Sequence, residues 1–434
     1  MSLSEPATPS DYEEVDSSTI TLLDSISFSD HPRSFRLWED SSKASAVSLS
    51  KKRKIDRLNE VLKEINHSGA RNLIVELRRL ASSSPGCLLE DEYRAKVWPL
   101  LVEDLVGSRF PDSETQSSHS VSDSDFESAV STFSEAEDDV EEETSSSSTE
   151  LVEPSIDDLK RHGEWNQVEL DVNRLLSRFP PYIPADQRRL LQNELTPLIV
   201  RVLWQDSSFR YYQGFHDVCL TLVLVLGVKR GYKAAKALST KSSFYHFLTR
   251  SLEDSAMRDL SYMYVLLWKA DEGLERFMRK SSVGCMFALS WILTWFSHSL
   301  REYSQVVQFF DFFLSSDPMM PVYVSAALVL SRSDEIFTCE PDMPVIHHLL
   351  SRIPEDLNID DVLSTASQLM LNYPPALVQG VYWERYREQV DNASKPRIAP
   401  RINRYAVNAW FFAGAATAAF AYWMLTNYAL TWQL

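Results

Sequence analysis

Two short segments of the chain carry polar residues at spacings that could serve a reaction. Asp171 and Arg174 are three residues apart, so on a helix they lie on one face and the carboxylate can orient the guanidinium. Gln213 lies between a tyrosine and Gly214 at the start of an apolar segment, which suits a polar group presented to a partner. Each signal alone is weak, because most Asp/Arg pairs at this spacing are surface ion pairs worth well under about 1 kcal/mol.

The sequence holds none of the motifs that mark a self-contained catalytic site, such as GxSxG, the phosphate-binding GxxxxGK[ST], HExxH or a paired CxxC. His347 and His348 are adjacent and would point apart by about 100° on a helix, which argues against a shared metal ion. The four cysteines, at 87, 219, 285 and 339, are widely spaced and are predicted to be reduced core thiols. An enzyme of this kind would lend residues to a reaction on another protein.

The elements that must position these residues are predicted to be helices. Glycine is scarce, at 11 of 434 residues, and 44% of the residues are hydrophobic, enough for a large core. Apolar residues recur at helical spacing from residue 51, and from 190 to 387 apolar helical segments alternate with short polar joints. The segments 218–228 and 283–296 are too short to span a membrane and are predicted to be buried helices. We therefore predict one all-α domain over residues 51–390.

Two polar segments are predicted to be disordered: the Ser-rich, acidic tail 1–50 and an acidic insertion at 111–154 within the domain. Between residues 112 and 153 there are 14 Asp or Glu and no Lys or Arg, so the rest of the chain is nearly neutral although its net charge is −18. This balance gives no indication of a nucleic-acid partner. The insertion is either an inert solvated loop or a phosphorylation site, each phosphate adding about 1.5 to 2 negative charges.

The C-terminal segment 405–425 has the length and apolarity of a membrane anchor. Its 21 residues include only Asn408 and Thr417 as clearly polar positions, and at about 1.5 Å per residue they would cross roughly 30 Å of hydrocarbon. The basic linker 391–404 should keep the preceding domain in the cytosol, leaving a short lumenal tail at 426–434. The alternative is a buried final core helix, but no amphipathic stripe is visible in the segment.

Several motifs, in order along the chain, resemble the TBC-domain family of GTPase-activating proteins for Rab GTPases. Asp171-x-x-Arg174 resembles the end of the family's I-x-x-D-x-x-R motif, and Tyr211-x-Gln213-Gly214 resembles its Y-x-Q-G motif. Three further segments resemble other parts of the domain: 86–100 with R-x-x-x-W-P-x-L, 291–296, and Asp311-Phe-Phe-Leu. Within the family the chain is most similar to the tail-anchored endoplasmic reticulum branch that acts on the Rab of early secretory transport, on the segments 211–217, 287–296 and 347–351 and the terminal anchor.

The resemblance implies a V-shaped, all-helical domain with a GTP-bound Rab docked in its groove. Arg174 would neutralise charge developing on the transferred phosphoryl group, and Gln213 would orient the attacking water in place of the Rab's own glutamine. Supporting roles would fall to Asp171, Tyr211, Gly214 and Asp311. The chain itself would need no cofactor, because magnesium and GTP belong to the Rab. The resemblance also implies the endoplasmic reticulum membrane as the location, with the catalytic domain in the cytosol.

The chain departs from the family pattern near Arg174 and Gln213, the two residues that would reach the Rab's nucleotide and are called fingers below. The family's arginine is followed at once by Thr-Phe-Pro, whereas here Phe179 directly follows Arg178, which leaves Arg178 as an alternative to Arg174. Phe215 and His216 stand where methionine and asparagine are usual and could shape the choice of Rab. A non-catalytic Rab-binding adaptor or membrane tether on the same fold is the competing hypothesis.

Overall fold

The computed structural model of the chain describes residues 49–68, 71–107, 154–176 and 184–394. Every regular element in these ranges is a helix, which confirms the all-α prediction for the part of the chain described. The predicted tail 1–50 falls almost wholly outside these ranges. So do nearly all of the insertion 111–154, Arg178, most of the linker 391–404, the anchor 405–425 and the tail 426–434.

The helices follow one another with short connections. The α-helices are α1 Leu49–Ser68, α2 Arg71–Ala81, α3 Asp91–Gly107, α4 Ile156–Lys160, α5 Trp165–Leu176, α6 Ala185–Trp204, α7 Phe215–Lys241, α8 Ser243–Thr249, α9 Arg258–Ala270, α10 Glu272–Lys280, α11 Leu289–Leu293, α12 Tyr303–Leu314, α13 Met320–Ser331, α14 Ser333–Thr338, α15 Met343–Leu350, α16 Ile359–Asn372, α17 Pro375–Leu377 and α18 Trp383–Ser394. Glu253–Met257 and Val378–Tyr382 form single π-helical turns, and Met286–Ala288 forms a 3₁₀ turn.

The chain divides into two compact units, residues 1–379 and 380–434. The described part of the second unit consists of the end of a π-turn and α18. All of the features that follow belong to the first unit.

Of the two apolar segments that raised the question of membrane spanning, 218–228 lies in a buried helix, as predicted, whereas 283–296 does not form one helix. The latter comprises a 3₁₀ turn, the five-residue α11 and a turn, and Gly284 and Met286 within it are exposed. In α7 the side chains from Phe215 to Leu226 are buried, and Gly227 then interrupts the helix with φ +77°, ψ 173°. Glycine can adopt a positive φ without steric cost, which permits this break in the helix. The buried apolar stretch ends at the break. The other segment is also buried from Trp291 to Ser297. Among the helices described, none combines the length and the apolarity that crossing a bilayer demands, and the predicted anchor lies outside them.

A buried carboxylate joins α3 to α12. Asp311 is fully buried and accepts hydrogen bonds from the Leu88 backbone N–H (3.0 Å), Arg94 Nε (3.0 Å) and Trp98 Nε1 (2.7 Å). Arg94 also donates to Asp91 (2.9 Å). Burial works against the charge of Arg94, but the two carboxylates outweigh it and raise its pKa. Burial raises the pKa of Asp311, and the charge of Arg94 and the hydrogen bonds from Leu88, Arg94 and Trp98 oppose that shift. Arg94 therefore stays charged within the core.

The turn after α11 places residues 294–298 beside the loop that precedes α7. Trp295 and Phe296 adopt left-handed backbone conformations, with φ +48° and +66°, which are unusual for bulky residues. The Phe296 ring stacks on Trp291, with centroids 5.5 Å apart, and packs against Phe309. The Trp295 ring packs against Phe310 and Phe313. These aromatic contacts offset the backbone strain and fix the turn.

Candidate functional site

Arg174 stands at the exposed edge of α5. The buried positions of this helix, Val168, Asp171, Val172 and Leu175, recur at the spacing of one helical face. Asp171 therefore lies within an otherwise apolar stripe and is only 1% exposed. The side chain of Arg174 is 67% exposed, and its Nη1 donates to Asp171 Oδ1 at 3.1 Å. The carboxylate orients the guanidinium, as the three-residue spacing predicts.

Asp171 is also where the two sequence motifs meet. Besides Arg174, its carboxylate has Gln167 Nε2 at 3.1 Å and the Tyr211 hydroxyl at 3.1 Å. Tyr211 comes two residues before Gln213, so one buried carboxylate contacts the arginine directly and the glutamine loop through a tyrosine. A buried carboxylate is costly unless its lone pairs are bonded, and these three donors meet that requirement.

The loop that carries Gln213 is fixed on both sides of that residue. The Tyr212 hydroxyl is buried and donates to the Leu293 carbonyl at 2.9 Å. Gly214 has φ +120°, and a Cβ there would lie 2.8 Å from Thr294 Cγ2, so no other residue fits without displacing the turn. Between these two buried neighbours Gln213 is exposed. The chain thus fixes the backbone on both sides of Gln213, while Gln213 itself is accessible to solvent.

A histidine and an aspartate at the start of α7 extend the site inward. His216 and Asp217 are 4% and 3% exposed. His216 Nδ1 lies 2.6 Å from the Tyr211 oxygen and 3.3 Å from the Gly214 backbone nitrogen, which donates to it. His216 Nε2 and His298 Nδ1 each lie 3.3 Å from Asp217 Oδ2. Polar contacts therefore run from α5 to the turn after α11.

The Tyr211 hydroxyl has one hydrogen and two acceptors. Burial and the neighbouring Asp171 raise the pKa of Tyr211, so the phenol keeps its proton at neutral pH. That hydrogen can be donated to Asp171 or to His216, and the hydroxyl stays in contact with both. Tyr211 is thereby the link between α5 and α7.

The sequence-predicted site residues fall into two groups. Arg174, Asp171, Tyr211, Gln213 and Gly214 belong to one cluster of adjoining elements, whereas Asp311 accepts hydrogen bonds from Leu88, Arg94 and Trp98. Arg178 lies outside the described residues.

Sequence reasoning assigned no role in the site to Asp217 or His298. The available signal was a His-Asp pair opening a segment that is otherwise apolar. His298 is 81 residues further along the chain than Asp217, so no local pattern indicates their contact.

The cysteines take no part in this cluster. All four are free thiols, but only Cys87 and Cys219 are buried; Cys285 and Cys339 are partly exposed, so the prediction of core thiols holds for two of the four. Burial raises the pKa of both buried thiols, so they stay protonated and unreactive at neutral pH.

What the site offers is an exposed guanidinium and an exposed carboxamide on a rigid, buried support, an arrangement suited to acting on a substrate held by another molecule.

Comparison with known proteins gives a consistent result. Residues 91–337 match the Rab-GTPase-TBC domain family. The chain is 33% identical over 350 residues to TBC1 domain family member 20 of Bos taurus, covering 80% of this chain and 74% of that protein. The Homo sapiens protein of the same name is 32% identical over 342 residues, covering 78% and 72%.

Two further matches are more distant. GTPase-activating protein gyp10 of Schizosaccharomyces pombe is 30% identical over 210 residues, covering 46% of this chain and 54% of that protein. The crystal structure of the Ypt/Rab-GAP domain of Gyp1p superposes with a TM-score of 0.51 at 15% identity, covering 74% of this chain and 97% of that one. This last likeness concerns the fold alone.

Proposed function

Because this chain belongs to the Rab-GTPase-TBC domain family, we propose that it accelerates GTP hydrolysis by a Rab GTPase with two residues supplied in trans, Arg174 and Gln213. The observation that carries the proposal is the shared contact at Asp171. This carboxylate holds Arg174 and, through Tyr211, the loop of Gln213. The Arg174 side chain is 67% exposed and Gln213 is an exposed residue, so a docked partner can reach both.

The proposed chemistry asks only for positioning and charge. The phosphoryl group in transfer carries negative charge on its peripheral oxygens, and a guanidinium placed beside it stabilises that charge. A carboxamide can accept a hydrogen bond from the attacking water and donate to an oxygen, which fixes the line of attack. Mg²⁺ and GTP are bound by the Rab, so this chain supplies no cofactor of its own.

The test is a panel of GTP-loaded Rabs incubated with the purified full-length chain in detergent, with hydrolysis followed under single-turnover conditions. We expect a rate increase of about 10³-fold or more for the preferred Rab. We propose that this is a Rab of endoplasmic reticulum to Golgi transport, in keeping with the resemblance of residues 211–217 and 287–296. Tight binding to a GTP-loaded Rab with no increase in hydrolysis would instead establish an adaptor or tether.

We also propose that residues 405–425 anchor the chain in the endoplasmic reticulum membrane with the domain 51–390 on the cytosolic face. The support is the run of apolar residues in that segment and its basic N-terminal flank. From their Ser-rich, acidic composition, we also propose that the tail 1–50 and the insertion 111–154 are disordered.

Deleting residues 405–434 should move the protein from the membrane fraction to the supernatant, because the apolar segment would be gone. Carbonate extraction of cell membranes followed by immunoblotting measures the partition. The matched control is deletion of 426–434 alone, which should leave the protein in the pellet. An unchanged membrane fraction for the longer deletion would contradict the anchor.

A further inference from the structure

The polar contacts behind the two proposed fingers form one chain from Arg174 to the turn after α11. Arg174 contacts Asp171, Asp171 contacts Tyr211, and Tyr211 contacts His216. From there the contacts pass through Asp217 to His298. His216 contacts the Tyr211 hydroxyl and the Gly214 backbone N–H, which lie on either side of Gln213.

The partners of His216 determine which nitrogen holds its hydrogen. The Gly214 backbone N–H can only donate, so Nδ1, 3.3 Å from it, is the acceptor nitrogen, and Nε2 carries the hydrogen on the side of the Asp217 carboxylate, 3.3 Å away. The single lone pair of Nδ1 faces both the Gly214 backbone N–H at 3.3 Å and the Tyr211 hydroxyl at 2.6 Å, and that hydroxyl shares its one hydrogen between Nδ1 and Asp171. The buried ring thus ties the backbone next to Gln213 to the hydroxyl next to Asp171.

We infer that His216 is a positioning residue that keeps Arg174 and Gln213 in one fixed relation to each other. It touches neither the nucleotide nor the reacting atoms and acts through Gly214 on one side and through Tyr211 and Asp171 on the other. This inference rests on the proposed function, and it adds a residue that neither finger motif contains. Without the ring, the contact between Asp171 and Tyr211 remains, but the Tyr211 hydroxyl and the Gly214 N–H on either side of Gln213 lose the acceptor they share, and the loop is held less firmly against α5.

Two substitutions separate the contacts of the ring. His216→Phe keeps an aromatic ring of similar size and removes both nitrogens. His216→Asn keeps a side-chain oxygen near the position of Nδ1, able to accept from Gly214 and Tyr211, but it does not reach Asp217. If positioning runs through Nδ1, asparagine should restore what phenylalanine removes.

The kinetic test uses the full-length chain with its preferred GTP-loaded Rab. We expect His216→Phe to lower kcat about 10- to 100-fold, since a displacement of about 1 Å in a reacting group can cost 10²-fold. KM should change little because the docking surface is intact, and His216→Asn should recover most of the lost kcat. The control His348→Phe replaces an exposed histidine on α15 and should match the wild type. A wild-type kcat for His216→Phe would overturn the inference and leave the proposed function standing.

A double-mutant cycle with Tyr211→Phe examines the same link without a change of volume at 216. The two substitutions cut one connection, so the double variant should lose no more kcat than the worse single variant. Losses that multiply would mean that the two residues act independently, contrary to the inference. Thermal melts of each variant establish that the compared proteins are folded.

Hydrogen exchange provides a readout that needs no GTPase. In His216→Phe, amides in the loop 205–214 and in α5 should both exchange faster than in the wild type, and His216→Asn should reverse this. Unchanged exchange in α5 would contradict the link even if the kinetic result agreed. If the wild type accelerated no Rab, the proposed function would fail, and the exchange data would still decide whether His216 couples the two elements.

Discussion

Replacing Arg174 with alanine should reduce the GTP hydrolysis that this chain stimulates by about 10³- to 10⁵-fold, the contribution of a trans-acting arginine in phosphoryl transfer. The guanidinium is exposed, oriented by Asp171 and separated from the core. It is therefore placed to stabilise the transition state of hydrolysis. Its loss should therefore leave Rab binding largely intact while kcat falls. Single-turnover hydrolysis and a separate binding measurement with a non-hydrolysable GTP analogue distinguish the two effects.

Gln213→Ala belongs to the same test. Removing one group that orients or stabilises reacting atoms lowers kcat about 10²- to 10³-fold in comparable sites. Loss of the Gln213 carboxamide should lower the stimulated kcat by about as much. A matched control is Arg189→Ala on α6, since Arg189 forms an exposed i, i+3 pair with Asp186. Such pairs are worth about 0 to 1 kcal/mol, and this variant should retain the wild-type rate.

Arg178→Ala decides between the two candidate arginines. We expect this variant to keep the stimulated rate within about threefold of wild type, a change of well under 1 kcal/mol in the barrier. A large loss for Arg178→Ala together with full activity for Arg174→Ala would transfer the finger role to Arg178. Wild-type rates for both arginine variants and for Gln213→Ala would contradict the dual-finger mechanism.

The sequence predicts the separate parts of this site better than their connection. The Asp171/Arg174 pair follows from helical periodicity, and the buried helix at 218–228 follows from its length. Both are local properties. The contact between Asp171 and Tyr211 joins positions 40 residues apart, and no spacing along the chain encodes which distant donor a buried carboxylate finds.

Backbone conformation sets a second limit on what the sequence predicts. Trp295 and Phe296 have positive φ, a backbone conformation that is unfavourable for aromatic residues. The surrounding aromatic packing offsets this strain. That turn puts the Thr294 methyl against Gly214 and His298 against Asp217. The inner half of the site therefore depends on tertiary packing that a reading of local pattern does not reach.

Asp311 has different bonding partners from the residues around the two proposed fingers. The sequence resemblance grouped Asp311 with the supporting residues of the site, but its bonds join α12 to α3 and to the segment before it. Its contribution is accordingly expected in the stability of the domain. The family resemblance carries both kinds of residue, and only the bonding partners tell them apart.

Asp311→Ala should destabilise the domain by about 3 to 5 kcal/mol, because it removes the carboxylate and leaves the buried charge of Arg94 to Asp91 alone. At about 2 to 4 °C per kcal/mol for a domain of this size, the melting temperature should fall by roughly 10 °C. Differential scanning fluorimetry measures the shift, and the control Asp186→Ala, at an exposed pair, should lie within about 0.5 kcal/mol of wild type.

The double variant Arg94→Met/Asp311→Leu should recover part of the stability that Asp311→Ala loses. No unpaired charge is then left in the core, and the side-chain volume is largely kept. A fall of less than about 1 kcal/mol for Asp311→Ala would mean that Asp91 and Tyr303 support Arg94 without it. The folded fraction of Asp311→Ala, assayed well below its melting temperature, should still stimulate hydrolysis. Stability and catalysis would then be separated between two buried aspartates, Asp311 for the core and Asp171 for the fingers.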